Sequence, residues 1–106
     1  MRFIKRLNLE RDLENVPSEV KKSALAWLSV IESEDTKWEH FFDIRDTYSS
    51  VSRVEELYVF NIKGHRLIVG INFKRQAIYY KTILLHDEYM EGRWKSQYAR
   101  PKKALS

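Results

Sequence analysis

Cysteine is absent from this 106-residue chain. Its absence excludes a disulfide scaffold, a thiolate zinc site, an iron–sulfur cluster and a cysteine nucleophile. Glycine occurs only three times and proline twice, too seldom for a collagen-like or low-complexity chain. No apolar run approaches the roughly 20 residues that a membrane-spanning helix needs. Arg2, Lys5 and Arg6 charge the start, and no apolar stretch follows them, so no secretory leader is expected. Phosphate-cradling glycine loops, an H-E-x-x-H helix and a glycine-flanked serine elbow are all missing. The three histidines lie apart. His86, Asp87 and Glu88 are adjacent, which is poor spacing for a metal. The expectation is a cytoplasmic protein with no metal, no cofactor and no membrane association.

The composition is otherwise that of a globular protein. Hydrophobic residues make up 43% and aromatics 13%, and the length suits a single domain over residues 1–106. The net charge of +4 is unevenly spread. Residues 1–50 hold eight Lys and Arg against ten Asp and Glu. Residues 51–106 hold eleven against five, so the halves carry −2 and +6. An anion-binding surface therefore belongs on the second half.

Hydrophobic spacing divides the chain in the same way. Arg2, Phe3 and Ile4 read as a short strand, and residues 7–15 as a helical turn or two with Leu9 and Leu13 four apart. Pro17 suits a first helical turn. Val20, Ala24, Trp27, Leu28 and Ile31 then recur at helical spacing and predict an amphipathic helix over 18–32. Thr36 and Glu39 have capping-box spacing, which predicts a second helix over 36–48 with Trp38, Phe41, Phe42, Arg45 and Tyr48 along it. From Arg53 the period becomes two. Residues 57–63, 66–73 and 77–85 read as strands joined by connections short enough for antiparallel hairpins. Residues 86–94 read as a short helix or loop, and residues 98–106 as a frayed end. The fold class is α+β, with N-terminal helices packed on a small twisted antiparallel sheet.

Strict alternation sorts the strands into faces. Phe60, Ile62, Leu67, Val69, Ile71, Ile78 and Tyr80 turn toward the helices, with Thr82 and Leu84 continuing that row. Ile83 falls on the other side. The outer face then shows Asn61, Lys63, Arg66, Asn72, Tyr79 and Lys81. That set suits a phosphate backbone and a stacked base. A solvated sheet face is equally ordinary in an antiparallel protein.

The stretch Val59-Phe60-Asn61-Ile62-Lys63-Gly64-His65-Arg66-Leu67-Ile68-Val69 resembles the VFNIKGN-x-YRLIV core of HigB-type toxins of the RelE superfamily. His86-Asp87-Glu88-Tyr89 resembles that family's TH-x-EYD segment, and Trp38, Phe41, Arg45 and Tyr48 are loosely similar to its upstream region. The likeness runs over roughly residues 36–90. Three places differ from the family pattern: the turn at 63–66 is shorter, Leu85 stands where threonine is usual, and Met90 stands where aspartate is usual. The resemblance implies a RelE-like fold and a ribosome-dependent mRNA endoribonuclease. It implies a HigA-like helix-turn-helix antitoxin as partner, with oligomeric state set through that antitoxin.

Metal-free RNA cleavage needs a base for the 2′-OH, an acid for the leaving 5′-oxygen and cations for the phosphate. His86 suits acid or base work near neutral pH. Tyr89 suits proton relay or stacking, and Arg66 and Lys63 suit a phosphate clamp. Asn61, Asn72, Lys81, Tyr79, Arg45, Lys74 and Arg75 are candidate RNA contacts, the last two through mRNA or rRNA backbone. Two other readings use the same residues: a catalytically inactive relative that binds RNA or protein, and an interaction domain whose sheet face binds a protein.

Overall fold

A computed structural model describes residues 1–98. Its elements are β1 (Arg2–Ile4), α1 (Arg6–Asp12), a 3₁₀ turn (Leu13–Asn15), α2 (Ser18–Glu32), α3 (Phe41–Thr47), β2 (Ser52–Val54), β3 (Leu57–Ile62), β4 (His65–Asn72), β5 (Ala77–Leu84), α4 (His86–Glu91) and α5 (Arg93–Tyr98). The class is α+β, and the sheet has five strands in the order β1-β5-β4-β3-β2. Residues 99–106, which include most of the expected frayed end, lie outside the described residues. No helix among the described residues is long and apolar enough to cross a membrane.

The helix expected at 18–32 forms over those residues. Its apolar stripe of Val20, Ala24, Trp27, Leu28 and Ile31 is buried. Each large side chain removed from water in this way stabilises by about 1.5–3 kcal/mol. The Trp27 ring lies 5.6 Å from Phe3 and 5.1 Å from Phe60, both edge-on. Leu9 and Leu13 join the same core, together with Trp38, Ile44, Leu67, Val69, Ile78 and Tyr80. The Tyr80 hydroxyl donates to Asp12 Oδ2 at 2.6 Å and ties β5 to the end of α1. Burial, and then that bond, pushes the phenol far above its ordinary pKa.

Four expectations are corrected. The sheet is mixed, because β1 runs parallel to β5, with Phe3 opposite Ile78. The segment between β1 and β5 holds the helical layer and β2–β4, long enough for the crossover that a parallel pair requires. The second helix begins at Phe41, not Thr36. Asp43 sets that start by accepting the Glu39 and His40 amides at 2.8 and 3.2 Å, and the first of these bonds leads in holding its carboxyl below the ordinary pKa. Thr36 instead turns its hydroxyl back onto the Val30 carbonyl. A short strand, β2, also pairs with β3, ahead of the first strand expected at 57–63.

The fourth correction concerns the faces. Ile68 pairs with Thr82 but Val69 pairs with Tyr80, which leaves Lys81 as an extra residue on β5. This β-bulge reverses the alternation beyond it. Ile83 therefore packs into the helix-side core and Leu84 into a second core on the outer face. That outer core holds Leu57, Val59, Ile68 and Trp94, flanked by Val54, Tyr89 and Tyr98. The outer face is thus partly roofed by α5 and is not wholly solvated.

Trp94 is 2% exposed, so its removal uncovers Ile68 and leaves a cavity. Trp94→Ala should lower the unfolding free energy by about 3 kcal/mol, read by urea denaturation.

Candidate active site

Two local structures bring the charged residues together. The first is the β3–β4 hairpin, in which Ile62 pairs with His65 around Lys63 and Gly64. Lys63 has φ 51° and Gly64 has φ 86°. Positive φ at both central residues is what a two-residue I′ turn demands, and it twists with the strands. Asn61 Oδ1 accepts the Gly64 amide at 3.0 Å and holds the turn. The Gly64 carbonyl accepts from Arg66 Nη1 at 3.1 Å.

The second is the exit from β5. Leu85 is extended, and its amide donates to Glu88 Oε1 at 3.1 Å, which caps α4. His86 is the first residue of α4. Tyr89 follows at i+3, on the same side of the helix. Because Arg66 pairs with Leu84 across the sheet, the start of α4 lies over the Arg66 side chain.

The result is a compact cluster on the outer face. Arg66 Nη2 lies 3.4 Å from His86 Nδ1, and the guanidinium carbon sits 5.5 Å from the Tyr89 ring centre. Guanidinium has no acceptor, so this contact requires the His86 Nδ1 lone pair and places the neutral ring's proton on Nε2. Tyr89 stacks on Trp94 with centres 5.2 Å apart and planes 14° apart. Trp94 Nε1 donates to the Tyr89 carbonyl at 2.8 Å. Arg66 is thus held by a carbonyl on one side and an aromatic pile on the other, while His86 stays exposed.

The remaining candidates fall elsewhere. Lys63 lines a hollow of about 410 Å³ with Ser23, Ala26 and Val30 of α2 and with Tyr48. Among the described residues no hydrogen bond or ion pair joins it to Arg66 or His86. Tyr79 and Lys81 share the outer face beside Gly70. Asn72 Oδ1 accepts the Arg75 amide at 3.0 Å and caps the β4–β5 turn. Lys74 and Arg75 are exposed in that turn, beyond Asn72, which is six residues along β4 from Arg66, or roughly 20 Å at strand rise. Arg45 lies on α3, whose Ile44 packs into the helix-side core, so the sheet separates it from the cluster. Among the described residues no group of three or more His, Asp or Glu side chains gathers for a metal.

Trp94 is the residue the spacing arguments did not assign to the site. The signal for it was Gly92, which sits at φ 81° past the end of α4. A left-handed glycine there ends one helix and turns the chain, so that α5 folds back over the sheet.

The chain's residues 20–92 match the model of a family described as HigB toxin, RelE-like toxic component of a toxin–antitoxin system. The match runs from α2 to the end of α4 and leaves out β1, α1 and α5. No curated protein matches the chain.

Asn61→Ala removes the acceptor for the Gly64 amide. It should cost about 1 kcal/mol of stability, read by thermal unfolding.

Proposed function

The chain belongs to the HigB family of RelE-like toxic components of toxin–antitoxin systems, and from that premise we propose that it is a ribosome-dependent mRNA endoribonuclease that works by 2′-OH attack without a metal. An antitoxin is the partner that membership implies. We assign that role to a HigA-like helix-turn-helix protein, through which the oligomeric state is set. The cytoplasm is the compartment in which such a toxin meets its substrate.

The observation that carries this reading is the gathering of Arg66, His86 and Tyr89. In the proposed reaction the 2′-oxygen attacks phosphorus and the bond to the 5′-oxygen breaks. The products are a 2′,3′-cyclic phosphate and a free 5′-hydroxyl. Arg66 holds the crowded phosphate, and its anchorage to the Gly64 carbonyl means little reorganisation is needed as charge develops. His86 takes the 2′-OH proton on Nδ1 as the Arg66 Nη2 contact passes to the phosphate, and the imidazolium so formed gives its Nε2 proton to the leaving 5′-oxygen, so the protons balance. Tyr89 orients Arg66 through its ring, and its hydroxyl is the cluster's other proton carrier. Lys63 adds positive charge at the turn. Asn61 acts by shaping that turn.

RNA is held more widely by the basic half of the chain. Tyr79 and Lys81 lie on the same sheet face as Arg66. Lys74 and Arg75 suit mRNA or rRNA backbone at the far turn, with Asn72 holding that turn in shape. Arg45, on the helix layer, suits an rRNA contact and not the scissile phosphate.

Induced expression without antitoxin, with mapping of mRNA 5′ ends, tests this. Wild type should arrest growth and leave codon-phased cuts. His86→Ala should reduce cutting by about 100-fold or more. Arg66→Lys, which keeps the charge but loses the forked guanidinium, should reduce it at least about tenfold. Folded wild-type protein that neither arrests growth nor cuts would leave the inactive, binding-only relative.

A further inference from the structure

The roof formed by Trp94 divides the outer face of the sheet. On one side lies the Arg66 cluster. On the other lies a separate groove of about 490 Å³, lined among others by Glu56, Leu57, Gly70, Tyr79, Lys81 and Tyr98. Its floor is Gly70. A Cβ placed there would meet Lys81 Cε at 3.5 Å and Tyr79 Cβ at 4.0 Å, so the Lys81 stem and Tyr79 border the floor at ordinary contact distance. Tyr98 stands four residues after Trp94 on α5, on the same side of the helix, and walls the groove.

We propose that this groove is a nucleobase subsite for single-stranded RNA and that it favours guanine; the inference rests on the endoribonuclease reading above. Tyr79 and Tyr98 both line the groove, and stacking on aromatic rings is the usual means of holding unpaired nucleotides. Lys81, beside Gly70 on the same face, supplies the cation for the attached phosphate. Glu56 lies in the two-residue turn between Val54 and Leu57. Its ionised carboxylate is an acceptor-only group, and guanine presents two adjacent N–H donors on its pairing edge. Gly70 is four residues from Arg66 along β4, or roughly 14 Å, the span of about two extended nucleotides. The groove thus reads a base about two nucleotides from the cut.

The four ribonucleoside 5′-monophosphates, which contain no bond to cleave, are the probes. They are titrated into the full-length chain while backbone amides are followed by ¹H–¹⁵N spectra. The expected result is shifts centred on Leu57, Gly70, Tyr79 and Lys81, strongest for GMP and weakest for UMP. Tyr79→Leu should weaken GMP binding at least about fivefold, and Glu56→Gln should erase the preference for GMP; unchanged spectra elsewhere establish that both variants fold. Equal binding by both variants, or no shifts at these amides, overturns the subsite. In cells, Glu56→Gln should still cut mRNA but lose any guanine bias about two nucleotides from the cut. Cutting with the bias intact overturns the subsite and leaves the endoribonuclease reading standing. GMP binding at these amides in a protein that never cuts mRNA keeps the subsite and removes that reading.

Discussion

Leu67, Ile68 and Val69 of β4 are all fully buried, although alternate residues of a strand point to opposite faces. A central strand of this kind has to be covered twice. The helical layer covers Leu67 and Val69, through the core that includes Trp27 and Phe60. Trp94 covers Ile68 from the other side. Because one indole is too small to roof the whole outer face, β4 emerges on both sides of it. Arg66 appears at one opening and Gly70 at the other, and the two proposed sites follow from that division.

The Arg66 cluster is organised by short-range contacts and not by deep burial. A carbonyl in a tight turn, a ring on the first turn of α4 and an indole behind that ring restrict one long side chain. Restraint matters because an exposed arginine otherwise loses much rotamer freedom on binding a phosphate. The same indole that completes the core also backs the Tyr89 ring, so stability and the proposed site share a residue. His86 alone of the cluster is left open to solvent.

Much of the architecture was legible beforehand. The stripe from Val20 to Ile31 has a period that only a helix buries, and α2 forms over the residues expected. Alternation from Leu57 onward marked β3, β4 and β5, and the short 63–66 connection marked their hairpin. Where reading by pattern went astray, a single local bond or residue decided the outcome. Asp43 outcompeted Thr36 as the cap of α3 because it accepts two amides at once. One extra residue at Lys81 exchanged the sides taken by Ile83 and Leu84. Neither event leaves a mark in hydrophobic period. Among the candidate residues, likeness to the HigB pattern singled out His86, Arg66 and Tyr89, and these three meet in space. Asn61 and Asn72 proved to be turn-holding residues, since both spend a side-chain oxygen on a backbone amide.

Composition and spacing by themselves determined the α+β class, the buried stripe of α2, the three-strand meander and the basic second half, because these depend on periods and charges that the chain carries locally. Tertiary structure alone decided that β1 joins β5 in parallel, that Arg45 lies across the sheet from His86, and that Trp94 roofs Ile68 and backs Tyr89. Each of those depends on which distant segments share one core, and burial of apolar surface is non-directional. The hydrophobic pattern says which residues must be covered; the packed chain alone says by what.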